Sequence, residues 1–340
     1  MDESSSSAGA PLVTLSHGTA ILIVICLALL SMEISINTRS VSFDAGFNWA
    51  LDTMAGHADP PEWQNRVLFP LFLLGIRALG HGLINIGQVW RIARLGAAVF
   101  AYLGAYFAFV RITRDLRFAV VAIALITYGY LWTTMSAGWE AGGDFFDIFF
   151  LAMFALCSIQ KNYLWMLVAV VMAASNRESA LFGGIVWACV AYARERFTVR
   201  ALRDYAFGLF CVLLAALTVY LLRALFAPGI AIKQSLGIIT VLVHWRWLLM
   251  PFGSVSMIAA AIFPLAWIAL HLQKPLPKEA KGLFWATLIC GVITGTFGRM
   301  EETRIWVPCL VLAVTAIILG LANDAGGLGF SVVSRNGWND

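Results

Sequence analysis

Long apolar runs alternate with short polar breaks along most of this chain. Runs long enough to cross a bilayer, or nearly so, lie at 19–37, 90–111, 118–135, 144–160, 162–176, 180–193, 205–225, 252–273, 283–298 and 305–322. Several are short, roughly 14–17 residues, which requires helices packed inside a bundle rather than facing lipid all round. The stretch 67–80 is also short, holds Pro70 and Arg77 and runs into Gly80, His81 and Gly82. If it spans, the acidic loop before it is cytoplasmic. If it lies in the interface, that loop is extracytoplasmic and the N-terminus is inside. An interfacial helix is the favoured reading. The expected fold is all-α: a polytopic membrane protein of about ten transmembrane helices, with interfacial juxtamembrane helices in the outer loop.

Composition supports this pattern. Hydrophobic residues make up 61% of the 340 residues and charged residues only 12%, about half the share a soluble domain carries. Mean hydropathy is +0.83. A soluble enzyme, a disordered protein and a coiled coil are excluded. Lys+Arg 23 against Asp+Glu 19 leaves +4, too weak an excess for a nucleic-acid partner. The six cysteines fall inside apolar runs without a CxxC pair and read as small fillers. Residues 1–18 contain Asp2 and Glu3 but no Lys or Arg, so the first run reads as a retained span rather than a signal peptide.

Three loops carry the basic residues, at 111–117, 194–203 and 274–281. Four apolar runs separate the first from the second, and two separate the second from the third. Even numbers put all three on one side, which the positive-inside rule makes cytoplasmic. The expected organisation is a disordered cytoplasmic segment 1–18, a membrane domain 19–322 with an extracytoplasmic loop at 38–89, and a cytoplasmic tail 323–340.

On that topology the unusual polar residues collect at the outer face, and ionisable groups at membrane depth usually mark a site. Asp44, Asn48 and Asp52 follow the first span at i, i+4 and i+8, which places them on one helical face. They are either a positioned general base with its helper groups or the solvated side of an interfacial helix. Arg66 sits in a proline-flanked segment and either holds a phosphate or snorkels to head groups. Glu140, Asp144 and Asp147 surround two glycines before the fourth run. Asp144 reads as a helix cap, but Asp147, one turn deeper, is not explained that way. Asn176, Arg177 and Glu178 form either a simple turn or part of a cavity, paired with each other or with other helices. Arg299, Glu301, Glu302 and Arg304 precede the last span and form an anion site or a charged collar. His57, His81, His244 and His271 have no metal-ligand spacing.

The order of these pieces resembles the membrane-embedded C-type (GT-C) glycosyltransferases. The resemblance is carried by Asp44 after the first span, by Asn65, Arg66 and Pro70 in a segment ending at Gly80, and by Ala93-Arg94-Leu95 opening the next span. It continues through the basic loop 111–117, an aspartate at the start of a later span (Asp144 or Asp147), and Arg304, Trp306 and Pro308 at the last one. The chain departs from many relatives in carrying Asn176-Arg177-Glu178 where they have Lys-Gly, and in having Asp44 alone where they place two adjacent acids.

The resemblance implies inverting transfer of a sugar from a polyprenyl-phosphate carrier to an acceptor hydroxyl of a glycan, lipid or protein. It implies Asp44 as the base, with Asp52, Arg66, Asp144, Asp147, Arg177, Glu178 and Arg304 around the substrates. If a divalent cation takes part, Glu140 and Asp147 are its candidate ligands. The expected location is the bacterial inner membrane, with the site facing outward. A transporter or flippase of a lipid-linked or anionic substrate, and a non-catalytic GT-C-like subunit, are the alternatives.

Overall fold

The computed structural model describes residues 15–37, 48, 52, 67–80, 83–134, 143–226, 254–297 and 306–326. Among them are helices α1 (His17–Asn37), α2 (Leu68–Leu79), α3 (Ile86–Thr113), α4 (Leu116–Thr134), α5 (Gly143–Gln160) and α6 (Tyr163–Ala174). A 3-10 turn (Glu178–Leu181) leads into α7 (Phe182–Glu195), followed by α8 (Val199–Phe226), α9 (Ser254–Leu270), α10 (Lys278–Phe297) and α11 (Val307–Gly326). No strand occurs among the described residues. A helix lies over each of the ten apolar runs. Five are long and apolar enough to cross a membrane: Ile86–Thr113, Leu116–Thr133, Gly143–Gln160, Val199–Phe226 and Val307–Ala325. This is the architecture of an α-helical membrane protein. At 12 residues α2 is about 18 Å long, well short of a hydrocarbon core of about 30 Å.

Local chemistry sets several helix starts. The Ser16 hydroxyl accepts from the Thr19 N–H at 3.1 Å to open α1. Asn85 and Gln88 form a reciprocal capping box on α3, each bond 2.9 Å. The Asn162 side chain accepts from the Trp165 N–H and starts α6 only two residues after α5 ends.

Small residues let the helices approach. Ala93, Ala97, Ala101 and Ala105 are buried along one side of α3, and the Ser31 and Tyr102 hydroxyls bond at 2.7 Å between α1 and α3. The Phe149 ring of α5 occupies the space a Cβ would need at Gly104. Phe100 contacts both Phe146 and Phe149, with centroids 6.1 and 5.1 Å apart, while Gly104 one turn later meets Phe149, so α3 and α5 run parallel, with residues around 100 beside those around 146. α5 is the most enclosed of the long helices: Phe145, Ile148, Leu151, Phe154 and Ala155 are fully buried. α8 is peripheral, with Leu209, Phe210, Leu213, Leu217 and Leu221 exposed as a lipid-facing stripe requires.

The two ends of the bundle differ. At one end lie the α3–α4, α5–α6, α7–α8 and α9–α10 connections with the basic loops. We call this the basic end. Ion pairs brace it across helices: Lys161 with Glu195 (3.1 Å) and Asp204 (3.0 Å), and Arg194 with Glu279 (2.9 Å). Arg194 also donates to the Ser158 and Ile159 carbonyls at the end of α5. The α6–α7 turn and the start of α5 lie at the opposite end.

Candidate functional site

The start of α5 and the turn between α6 and α7 together build a buried polar cluster. Asp144 and Asp147 are one turn apart on α5, at its second and fifth residues, so both carboxylates face the same neighbour. That neighbour is the segment 175–179, where α6 ends and the chain extends through Arg177 before the 3-10 turn. Arg177 Nη1 donates to Asp144 Oδ1 at 2.5 Å and to Asp147 Oδ2 at 3.1 Å. Asn176 Nδ2 donates to Asp147 Oδ1 (3.0 Å) and to the Gly143 carbonyl (2.9 Å). Ser179 Oγ donates to the same Asp147 oxygen at 2.9 Å. Gly143 lets Asn176 approach closely here, since a Cβ on it would lie 2.8 Å from Asn176 Oδ1 and one of the two would have to shift.

The side chains of Asp144, Asp147 and Arg177 are 1%, 2% and 9% exposed. Groups so far from water persist as ions only when paired and hydrogen-bonded, and this cluster supplies both. Next to it, Glu178 turns the other way and pairs with Arg223, near the end of α8, at 2.8 Å. The four-residue run 176–179 therefore ties α5 to α8. Of the two pairings open from the sequence, Arg177 and Glu178 bond to other helices and not to each other. Asp144 serves as a partner for Arg177, a role beyond that of a helix cap.

One further contact brings the start of α2 to this place. The Leu68 N–H donates to the Ser175 carbonyl at 3.0 Å, so the start of α2 is fixed beside residues 176–177. Val67 is buried there. α2 then packs on α3 and α5, with Phe69 edge-on to Trp90 at 5.5 Å and Phe72 edge-on to Phe146 at 6.2 Å.

Of the sequence-derived candidates, Asp144, Asp147, Arg177 and Glu178 are thus brought together. Asp52 and Asn48 are helical and exposed. Asp44, Arg66, Glu140 and Arg304 lie outside the described residues, as do His57, His81 and His244. His271 has a local role, with its Nδ1 2.8 Å from the Trp267 carbonyl one turn earlier. The cysteines read as fillers are buried except Cys26, which is exposed.

Both Asp147 oxygens accept hydrogen bonds from the protein, which leaves that carboxylate poorly disposed to hold a metal. Among the described residues no three His, Cys, Asp or Glu side chains are placed to bind one.

Arg94 is the residue that motif reading undervalued. It is the ninth residue of α3 and 2% exposed. The α3–α5 register puts it about one helical turn outward of Asp144, on the buried side that also carries Ala97, Ala98 and Ala101. A buried arginine in an apolar run is a site signal in its own right, independent of any motif. No family model matches the chain, and no curated protein matches it significantly.

Proposed function

We propose that this protein is an inverting membrane glycosyltransferase that takes a sugar from a polyprenyl-phosphate carrier at the end of the bundle opposite its basic loops. The observation that supports the reading most is the Leu68–Ser175 hydrogen bond beside the buried acid–arginine cluster. Leu68, two residues after Arg66 in the sequence, is held there beside the buried polar cluster of an otherwise apolar protein. This supports a site shared by the cluster and the segment that carries Asp44, Asp52 and Arg66. In this reading ten helices cross the inner membrane, α2 lies in the interface, and the basic end is cytoplasmic.

Asp44 removes the proton from the acceptor hydroxyl as the oxygen attacks the anomeric carbon and the lipid phosphate departs. Arg66 and Arg304 stabilise the leaving phosphate through charge-assisted hydrogen bonds. Arg177, already engaged by two carboxylates, acts as a positioning residue. It holds Asp144 and Asp147 in place, and those two orient the acceptor. Asp52, exposed and eight residues after Asp44 in the sequence, and the Glu178–Arg223 pair line the approach.

Transport is the second reading, and the braces at the basic end count against it. A route through the bundle also needs an opening at the basic end, where Lys161–Asp204 and Arg194–Glu279 tie neighbouring helices together. The discriminating experiment reconstitutes the purified protein in vesicles with a labelled polyprenyl-phosphate sugar and an acceptor. Label appearing on the acceptor supports the enzyme. Label crossing the bilayer without transfer supports the transporter, and neither outcome supports a non-catalytic subunit.

A further inference from the structure

We propose that the turn 196–203 at the basic end is a seat for the phosphate headgroups of anionic phospholipids in the adjoining leaflet. Arg196, Arg200 and Arg203 lie within eight residues and are all exposed. Of the other cations at this end, Lys161 pairs with Glu195 and Asp204, Arg194 with Glu279, and Arg117 with Asp115. Arg111, Arg114 and Lys281 are exposed as well, and what sets 196–203 apart is the bare apolar side chains between its arginines. Among the described residues, none of the three guanidinium groups of this turn has a carboxylate within ion-pair distance. Arg203 instead lies 5.0 Å over the Tyr163 ring. Between them, Phe197, Val199 and Leu202 are 85%, 84% and 61% exposed. Alternating bare cations and bare apolar side chains suit neither water nor hydrocarbon alone. They suit the headgroup boundary.

The length of α8 sets the depth. Its 28 residues extend about 42 Å. The apolar run 205–225 accounts for about 31 Å of this, close to the hydrocarbon thickness. The first turn and a half of α8, with Arg200 and Arg203, therefore projects into the headgroup layer.

The turn is also held in shape. Tyr205 donates its hydroxyl hydrogen to the Arg196 carbonyl at 2.5 Å, and the Phe197 ring sits 5.1 Å from Tyr192 and 6.0 Å from Tyr205. Arg196 itself has φ 52° and ψ −146°, a conformation that glycine adopts without strain and arginine does not. This makes Arg196→Gly a variant that removes a charge while suiting the backbone.

The test assembles the full-length protein in nanodiscs of equimolar phosphatidylcholine and phosphatidylglycerol, then counts retained lipids by native mass spectrometry. The wild type should retain phosphatidylglycerol preferentially. The preference should fall about fivefold in Arg196→Gly with no loss of thermal stability, and at least about tenfold when Arg200→Gln and Arg203→Gln are added. Sodium chloride at about 0.5 M should erase the preference in the wild type. Substituting Arg111, Arg114 and Lys281 by Gln at the same end should leave it intact. Equal retention by the triple variant, survival of the preference at high salt, or an equal loss from the control substitutions would overturn the proposal.

Discussion

Asp147 accepts three side-chain hydrogen bonds and Asp144 shares the same guanidinium, so Arg177 is the charge on which this buried group depends. Removing it takes a shared charged donor away from two buried carboxylates. Arg177→Ala should therefore destabilise the protein by about 3–5 kcal/mol. Arg177→Lys should cost less, because a point charge remains although the planar fork is lost. Thermal unfolding of the detergent-solubilised variants checks both, and equal stabilities for wild type and Arg177→Ala would dissolve the cluster's structural role. The sequence marked Asp147 and Arg177 as unusual because ions are rare in apolar runs. It could not pair them, since Arg177 is 33 residues from Asp144, and only the packing of α6 against α5 brings them together. Arg94 was legible by the same rule, yet its importance stood only inside a motif.

At the scale of the helix, close approach explains why short apolar runs survive as elements. A Cβ at Gly184 of α7 would lie 2.2 Å from the Gly208 carbonyl oxygen of α8, and one at Gly282 of α10 would lie 2.6 Å from the Val190 Cα of α7. The backbones themselves meet at these crossings. Gly184→Leu should force α7 and α8 apart, at a cost of about 1–3 kcal/mol. It should also loosen the braces at the basic end, seen as a lower unfolding temperature. An unchanged temperature would mean that α7 and α8 do not approach so closely.

One of those braces also has a pH signature. The hydrogen bond to Asp204 holds the Lys161 ammonium above the ordinary lysine value; burial opposes this and Glu195 adds to it. A raised lysine contributes its stability fully below the unfolded value of about 10.4 and loses it as pH climbs through the higher folded value. The unfolding temperature of the wild type should therefore fall more steeply above about pH 10.4 than that of Lys161→Gln. Parallel curves would remove Lys161 from the account. Helix positions were readable from hydropathy alone because each run is bounded by charge, proline or glycine. Contacts such as Leu68–Ser175 were not, because a backbone hydrogen bond between distant segments leaves no mark on composition.

For the whole molecule, the basic loops with their interhelical braces lie at one end and the buried acid–arginine cluster at the other, which gives the protein a polarity. The parity of the apolar runs likewise groups the three basic loops together. In the proposed topology the segment 38–66 faces outward. Ala58→Cys, placed in a Cys26→Ser background, should react with an impermeant thiol reagent added from outside sealed cells. Labelling from the cytoplasmic side alone would invert the protein and withdraw the outward site.

The central claim is that Asp44 is the base of a sugar transfer, and its most direct measurement is the turnover of Asp44→Asn against wild type with a polyprenyl-phosphate donor. A general base contributes about 10²–10⁴-fold. Turnover should fall by that order while donor binding stays nearly unchanged, and Asp52→Asn should lose less. Full turnover in Asp44→Asn, with activity abolished in Asp52→Asn or Asp147→Asn instead, would contradict the assignment. If all three variants are as active as the wild type, the enzyme reading itself fails.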